Sequence, residues 1–322
     1  MKKGLKNILK AICIIFILLL MVVEASVIFI GKKLGRINHV DINKEDIEIT
    51  DGIEENLKEY RNILILGLDA KDNTFPNSRS DCIIIASINE TTKDVKLVSV
   101  YRDTYLELTG RGLDKVNHAY AYGAAPLSLS TLNTNLDLDI TEFVIINFDS
   151  TEKMINAIGG IPMYVTEKEA TQISGIDSEG TYILNGKQAL AFGRIRKIDN
   201  DYARTERMRK VLMAAFEKAK SMKISEISKL LDELLPEVYT NIEKKEILKI
   251  ASKMRQYKVV NNFGWPYNVK GITLEAWYGV PVTLETNVQK LHKELFGEED
   301  YEVSGKVKQI SNNIINKTGY RK

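Results

Sequence analysis

Two runs, Ile63–Leu66 and Cys82–Ile88, contain no charged residue, and a third, Val95–Tyr101, contains only Lys96; these runs constrain the fold more than any other feature of the chain. Short apolar runs rich in β-branched side chains read as strands covered on both faces, which requires layers above and below a sheet. Asn89-Glu-Thr-Thr-Lys-Asp94 separates the last two runs and is turn-forming, so they pair as a hairpin. Leu127, Leu129, Leu132 and Leu136 suit a helix, and Phe143–Phe148 a buried strand. Asp149-Ser-Thr-Glu152 is a capping-box-like start for a helix carrying Met154, Ile155 and Ile158. Gly159-Gly160 ends that helix, and Ile161–Val165 resumes as strand. The alternation predicts an α/β fold, a helix–sheet–helix sandwich around a central mixed β-sheet.

Further along, Met208, Val211, Leu212, Ala215, Phe216 and Ala219 fall on one helical face. Extended backwards, that face takes in Arg204, with Arg207 at its edge, while Arg209, Lys210, Glu217 and Lys218 fall on the solvent side. Helices are expected over Ile224–Leu235, stopped by Pro236, over Asn241–Tyr257 behind a Thr240-Asn241 cap, and near Thr286–Phe296. A β-like stretch covers Val259–Thr273. Residues 37–60 are polar and acidic and read as a stalk or first peripheral element, and the polar tail from Gly297 reads as partly disordered.

At 322 residues with 44% apolar content, the chain can bury a core. Lys plus Arg number 45 against 43 Asp plus Glu, which leaves no overall basic field for nucleic acid, so phosphate chemistry must come from local clusters. The run Ala11–Ile30 is apolar except for Glu24 and Ser26 and at helical rise spans about 30 Å, a bilayer core. It reads as one membrane anchor. A cleaved signal peptide is the rival, because Val23-Glu-Ala25 loosely fits a cleavage site. Lysines flank both ends, so charge gives only a slight orientation bias. Cys13 lies in the span and Cys82 in a strand, so no disulfide framework is encoded.

Arginine and aspartate recur at the ends of the expected elements. Gly67-Leu-Asp69 precedes Arg79-Ser-Asp81; Tyr101-Arg102-Asp103 closes a strand; Arg194-Ile-Arg196 is followed by Asp201-Tyr-Ala-Arg204-Thr-Glu-Arg207. Guanidinium forks suit phosphate oxygens, and two carboxylates at a strand edge suit a hard divalent cation. Asp69 and Asp81 would flank one sheet edge, where open α/β sheets hold ligands. Turn formation explains Gly67-Leu-Asp69 and Ser80-Asp81 equally well, and Arg79 and Arg102 taken singly read as surface charges. Arg194 and Arg196, read as extended, would point to one side. Lys115 offers one more cation. His39, His118 and His292 have no metal-ligand spacing, and the chain has neither a Gly-rich phosphate loop with its Lys-Ser/Thr nor a Gly-x-Ser-x-Gly elbow. Asn316-Lys-Thr318 matches a glycosylation acceptor, a short pattern that recurs by chance.

Six ordered blocks carry a resemblance. Asn62-Ile-Leu-Ile-Leu-Gly-Leu-Asp69, Arg79-Ser-Asp81, Leu97-Val-Ser-Val-Tyr-Arg-Asp103, Lys115-Val-Asn-His-Ala-Tyr-Ala-Tyr122, Leu184-Asn-Gly-Lys-Gln-Ala-Leu-Ala-Phe-Gly-Arg-Ile-Arg196 and Asp201-Tyr-Ala-Arg-Thr-Glu-Arg207 resemble the signature blocks of the LytR-CpsA-Psr family of bacterial cell-envelope proteins, over about residues 60–220. The resemblance implies transfer of a glycopolymer, wall teichoic acid or capsular polysaccharide, from undecaprenyl pyrophosphate to peptidoglycan. It implies Mg²⁺ on Asp69 and Asp81, pyrophosphate on Arg79, Arg102, Arg194, Arg196 and Arg204, and a polyprenyl tail between sheet and helices. Of these residues, Arg102, Asp81 and Arg196 are the expected catalytic groups, with Lys115 an added phosphate contact. The organisation that follows is a cytoplasmic N-terminus (1–10), an anchor (11–30), a linker (31–59), a catalytic domain (60–236), a helical and short-strand extension (237–297) and a tail (298–322). The domain would face outward from the cell membrane, with the lipid, peptidoglycan and envelope-assembly enzymes as partners and no nucleic acid. Hydrolysis of a polyprenyl pyrophosphate and non-catalytic lipid binding or regulation are the alternatives. Tyr101, where the family commonly has Pro, and Met208, where Gln often stands, are departures.

Overall fold

The computed structural model describes residues 35–68, 78–199, 201–222 and 235–321. The expected anchor at 11–30, Asp69, and all but the end of the helix expected over Ile224–Leu235 lie outside the described residues. The first apolar runs form the strands they predict, β2 and β3 extending beyond their runs and β4 set back by one residue so that Tyr101 lies outside it: β1 (Asn38–His39) and a short helix α1 (Ile53–Leu57) precede β2 (Tyr60–Leu68), β3 (Ser80–Asn89) and β4 (Asp94–Val100). Then come the hairpin β5 (Tyr105–Leu108) and β6 (Gly112–Lys115), α2 (His118–Leu136), β7 (Glu142–Asn147), α3 (Phe148–Ala157) and β8 (Ile161–Val165). After α4 (Glu167–Ala170), β9 (Gly180–Leu184) pairs back on β8, and α5 (Gly186–Arg194) and α6 (Asp201–Ser221) follow. The last third holds β10 (Val238–Thr240), α7 (Lys244–Lys253), β11 (Lys258–Trp265), the hairpin β12 (Val269–Thr273) and β13 (Trp277–Pro281), α8 (Leu284–Phe296) and α9 (Gly305–Thr318).

Seven strands form one mixed sheet in the order β1-β10-β7-β2-β3-β4-β11. β2 runs parallel to β7 and antiparallel to β3, and β4 runs antiparallel to β3 and parallel to β11. The C-terminal ends of β2, β4, β7 and β11 and the N-terminal end of β3 therefore share one rim. Alternate residues of each strand serve opposite faces. Leu64, Leu66, Ile83, Ile85 and Val98 join the core beneath α2, α8 and α9, whereas Ile63, Ile84, Ala86 and Leu97 pack toward α6 and α7. This is the helix–sheet–helix sandwich expected. Lys96, the one charge inside the third run, donates from Nζ to the carbonyls of Glu294 (2.8 Å) and Leu295 (2.9 Å), satisfying the C-terminus of α8.

Several expectations about the periphery need correction. The segment read as a stalk contributes β1, paired to β10, and buries Ile47, Ile53 and Leu57 in the main core. The tail is ordered: α9 starts at the Ser304 cap, ends at Gly319 in the left-handed region, and buries Val307, Ile310 and Ile314 at helical spacing. The stretch Val259–Thr273 splits into β11 and β12 with a turn between. α7 begins at Lys244, later than the Thr240-Asn241 cap implied, because Asn241 is occupied with β7, accepting from Phe143 N (3.0 Å) and donating to Thr141 O (2.7 Å).

α5 is set against α3 with no space to spare. A Cβ built at Gly186 would lie 2.2 Å from the carbonyl oxygen of Glu152, and the Gly186 N–H donates to Asn156 Oδ1 at 2.8 Å. Because the obstacle is backbone, it cannot rotate away. Gly186→Ala should therefore destabilise the fold by about 1–3 kcal/mol, the cost of overpacking, and shift α5 with Arg194 at its end. Urea denaturation measures this, and a midpoint equal to the wild type's would refute the close approach.

Candidate active site

The rim gathers side chains from three parts of the chain around one carboxylate. Asp81, the second residue of β3, accepts from Arg102 Nη1 at 2.7 Å on Oδ1, and Arg196 Nη2 stands 3.9 Å from its Oδ2. Arg102, just past β4, also places Nε 3.4 Å from Asp103 Oδ2, and Asp103 Oδ1 accepts from Lys115 Nζ at 2.7 Å. The side chains of Asp81, Arg102 and Asp103 are largely covered, but that of Arg196 is 59% exposed. Arg196 is thus the member whose charge faces outward. Lys115 is already committed, paired to Asp103 and lying 5.5 Å over the Tyr278 ring. Arg79 is exposed on the residue before β3, at the same rim.

Two expectations about the arginines are corrected. Arg194 does not alternate with Arg196 on an extended segment: it is the last residue of α5 and exposed, and only Ile195 and Arg196 leave the helix. A capping box at Asn185 and Gln188 starts that helix, so Leu184-Asn-Gly is a helix start. Arg209, expected on the solvent face of α6, is only 7% exposed and donates from Nε to Asn262 Oδ1 on β11 at 2.9 Å. Burial lowers its pKa from the ordinary arginine value. Its position seven residues before Phe216, on the apolar stripe, is the signal that would have revealed this.

Arg204 is buried near the N-terminus of α6, as its periodicity predicts, with its charge acting on Cys82. Burial pushes the Cys82 thiol up to about 12, which leaves a packing residue and no nucleophile. Arg207 has a structural part. It grips Asp199 with Nη1 at 2.6 Å and Nη2 at 2.8 Å, donates to Ile195 O at 2.8 Å, and lies 3.5 Å from Glu169. This strut ties the loop carrying Arg196 to α6. Met208, in place of a polar residue, packs its sulfur where a Cβ on Gly193 would lie, 2.3 Å away.

Beneath the rim, between the sheet and α6, the surface turns apolar. A small hollow of about 50 Å³ touches Gly67, Cys82, Ile84, Met208 and Leu212. It adjoins, at Ile65 and Leu212, a cavity of about 190 Å³ bounded by Ala86, Leu97, Met213 and Phe216 among others, all through apolar atoms. Charged head-group chemistry and hydrocarbon space therefore lie along one line. Among the described residues no group of three or more His, Cys, Asp or Glu could by itself hold a metal ion. Asp81 Oδ2, 3.9 Å from Arg196 Nη2, is a hard oxygen of the kind that ligates divalent cations.

The sequence profile of the LytR_cpsA_psr family matches residues 27–296. The chain belongs to this family. It is 34% identical over 260 residues, 76% of this chain and 84% of the relative, to the polyisoprenyl-teichoic acid–peptidoglycan teichoic acid transferase TagU of Enterococcus faecalis. Against the transferase TagT of Bacillus subtilis it is 30% identical over 229 residues, covering 67% and 71% of the two chains. A solved structure of TagT with bound octaprenyl pyrophosphate lipid matches with a TM-score of 0.59 at 26% identity, covering 75% of this chain and 90% of that one. The family blocks quoted above bring Arg79, Asp81, Arg102, Arg196 and Arg204 to one end of the sheet.

The Arg207 strut makes a measurable prediction. The Asp199 carboxyl is held below its usual range by the hydrogen bonds from Arg207, so the pair stabilises the fold above the unfolded value of about 3.9 and loses that contribution as pH falls through the folded pKa. Arg207→Ala should cost about 1.5–3 kcal/mol at pH 7, because it removes the charge-assisted hydrogen bonds from a buried guanidinium to the Asp199 carboxylate and the Ile195 carbonyl. Asp199→Asn should be less stable than wild type at pH 7, and the gap should begin to narrow below about pH 4 and close only below the lowered folded pKa. Denaturation curves at pH 7 and below that pKa decide, and a gap of equal size at both would remove the pair from the stability of this loop.

Proposed function

We propose that the protein transfers a glycopolymer of the wall teichoic acid or capsular polysaccharide type from undecaprenyl pyrophosphate to peptidoglycan, forming a phosphodiester. The observation that carries this reading is the line from the Asp81–Arg102–Arg196 cluster to the apolar cavity beside α6, which suits a pyrophosphate joined to a hydrocarbon chain. The relatives named as teichoic acid transferases, and the TagT structure with a polyprenyl pyrophosphate, support the same substrate class.

In the proposed reaction a glycan hydroxyl oxygen attacks the sugar-side phosphorus. The new P–O bond forms as the bond from that phosphorus to the bridging oxygen breaks, and polyprenyl phosphate leaves with the electron pair. Negative charge builds on the phosphate oxygens, where positioned guanidinium groups stabilise it without a covalent protein intermediate. Arg196, the exposed member, is the first to meet the substrate, and Arg102 is preset by its bonds to Asp81 and Asp103. Displacement of the Arg102 contact would free Asp81 to take the hydroxyl proton. Mg²⁺, held by Asp81 and by Asp69 from the family pattern, would neutralise part of the phosphate charge. The 11–30 segment would anchor the chain in the cell membrane, with residues beyond about Gly31 facing outward, where lipid carrier, peptidoglycan and envelope-assembly enzymes meet.

The full chain in detergent, given a lipid-pyrophosphate-linked saccharide, Mg²⁺ and peptidoglycan fragments, should yield a phosphodiester-linked product and polyprenyl monophosphate. Arg102→Ala and Arg196→Ala should each lower turnover about ten- to a hundredfold, the value of one charge-assisted contact. Mass spectrometry reads both. Saccharide phosphate released at one rate with or without glycan would make the protein a hydrolase, and tight lipid binding with no phosphorus bond broken would make it a binding module.

A further inference from the structure

Six cations and one carboxylate lie between Lys244 and Lys258, in a chain whose net charge is only +2. The proposed reaction uses none of them. They occupy α7, the turn after it and the first residue of β11, and all the cations but Lys253 are exposed. Lys245 pairs with Glu243 at 2.8 Å and Lys249 with Glu246 at 3.4 Å, and Glu246 also holds Arg61 at 3.0 Å. Lys244, Lys253, Arg255 and Lys258 have no carboxylate within ion-pair distance among the described residues. Surplus cations gathered on one stretch keep a positive local potential that attracts polyanions.

The sheet sets this stretch at a definite end of the apolar cavity. β3 begins at the rim, whereas β4 and β11 end there, so Ile88, Val95 and Val259, which bound the larger cavity, lie at the end away from Asp81. Asp81 and Ile88 are seven steps of β3 apart, about 23 Å at strand rise. Ile250 of α7 and Tyr257 bound the same cavity. Met213, Phe216, Ile250 and Val259 are only partly covered, so the cavity reaches the surface there, and the neighbouring Val260 is 51% exposed. Lys253, Arg255 and Lys258 flank these residues along the chain. The start of the described residues comes to the same helix: Ile37 is buried with Leu235 against Ile247 and Leu248. The apolar 11–30 segment ends seven residues before Ile37, and an extended chain of that length reaches at most about 25 Å. A bilayer holding that segment is therefore within reach of α7.

We infer that the outer side of α7 and the start of β11 lie on an anionic bilayer surface, with Lys244, Lys253, Arg255 and Lys258 meeting lipid phosphates and Val260 and the open end of the cavity meeting the hydrocarbon boundary. The inference rests on the proposed function and adds an orientation to it. The rim is held away from the bilayer, and the hydrocarbon chain of the carrier runs from the bilayer through the cavity, covered from water along the way. A soluble polyanion would feel the same charges, but the apolar opening among them and the tether at Ile37 favour a bilayer.

The full chain with Cys13→Ser and a fluorescent thiol probe on Ser252→Cys, an exposed position of α7, tests this in vesicles carrying head-group quenchers. Cys82, whose thiol burial pushes up to about 12, stays unlabelled. The probe should be quenched in mixed phosphatidylcholine and phosphatidylglycerol, and released in phosphatidylcholine alone or at high salt. A probe on Asn312→Cys, on α9 in the layer across the sheet, should be quenched in neither. Combining Lys244→Gln, Lys253→Gln, Arg255→Gln and Lys258→Gln should lower the docked-to-free ratio about a hundredfold, each cation near an anionic surface being worth about fivefold. The combined variant should bind octaprenyl pyrophosphate in detergent micelles as the wild type does. Quenching at residue 252 that ignores phosphatidylglycerol, or that persists in the combined variant, overturns the inference, as does absence of the full chain from vesicles. An equal loss of micellar lipid binding overturns it by moving the cations into the lipid site. So does a probe that responds to soluble poly(glycerol phosphate) and to no vesicle, which would give the face to an anionic polymer. Failure of the wild type to bind octaprenyl pyrophosphate in micelles strikes the proposed function itself, an outcome distinct from all of these.

Discussion

Asp81 is the carboxylate on which the rim depends. Arg102 reaches it from the end of β4 and Arg196 from the loop after α5, so a residue of β3 organises cations that are otherwise far apart in sequence. Three guanidinium or ammonium groups crowded without carboxylates would repel one another, whereas Asp81 and Asp103 interleave with Arg102 and Lys115 and hold them in place before any substrate arrives. The sheet supplies the geometry. Its mixed order brings the ends of β2, β4, β7 and β11 and the start of β3 to the same edge, where residues far apart in sequence meet.

What was legible in the sequence follows from how local its cause is. β2, β3 and β4 were readable because both faces of each are covered, leaving uninterrupted apolar runs. Arg204 was readable because a helical stripe places it. α9 was not, since its buried apolar residues are only Val307, Ile310 and Ile314, spread thinly in a polar segment and held by partners in α2 and α8 that a linear reading cannot see. The same holds for the segment before β2, whose Ile47 and Leu57 are buried by the rest of the chain.

For the site, the kinds of residue were legible and their pairings were not. Lys115 looked like a free cation, and Asp103 neutralises it from a different turn. Arg207 was placed only at the edge of a helical face, and Asp199 makes it a strut. Arg209 sat among Lys210, Glu217 and Lys218 in a charged stretch, and although its spacing from Phe216 puts it on the apolar stripe, its contact with β11 is what holds it inward. The pairings of Lys115 and Arg207 each depend on one tertiary neighbour, and composition or periodicity carries no record of it.

Tyr101 shows how a departure from the family pattern is absorbed. Its N–H donates to Trp265 O at 3.0 Å, one more bond in the β4–β11 pairing that a proline could not make. Its ring packs at a tilt of 57° against Tyr202 with centroids 4.3 Å apart, and its hydroxyl fills the space above Gly264, where a Cβ would stand 2.1 Å away. The larger residue is therefore matched by the absence of a side chain on the neighbouring strand and by an aromatic partner at the start of α6. Together they bind the end of β4, the end of β11 and the N-terminus of α6 at the level of Arg102 and Arg209. The Arg102 guanidinium at the end of β4 and the Arg209 guanidinium on α6 are thus held in place partly through this contact.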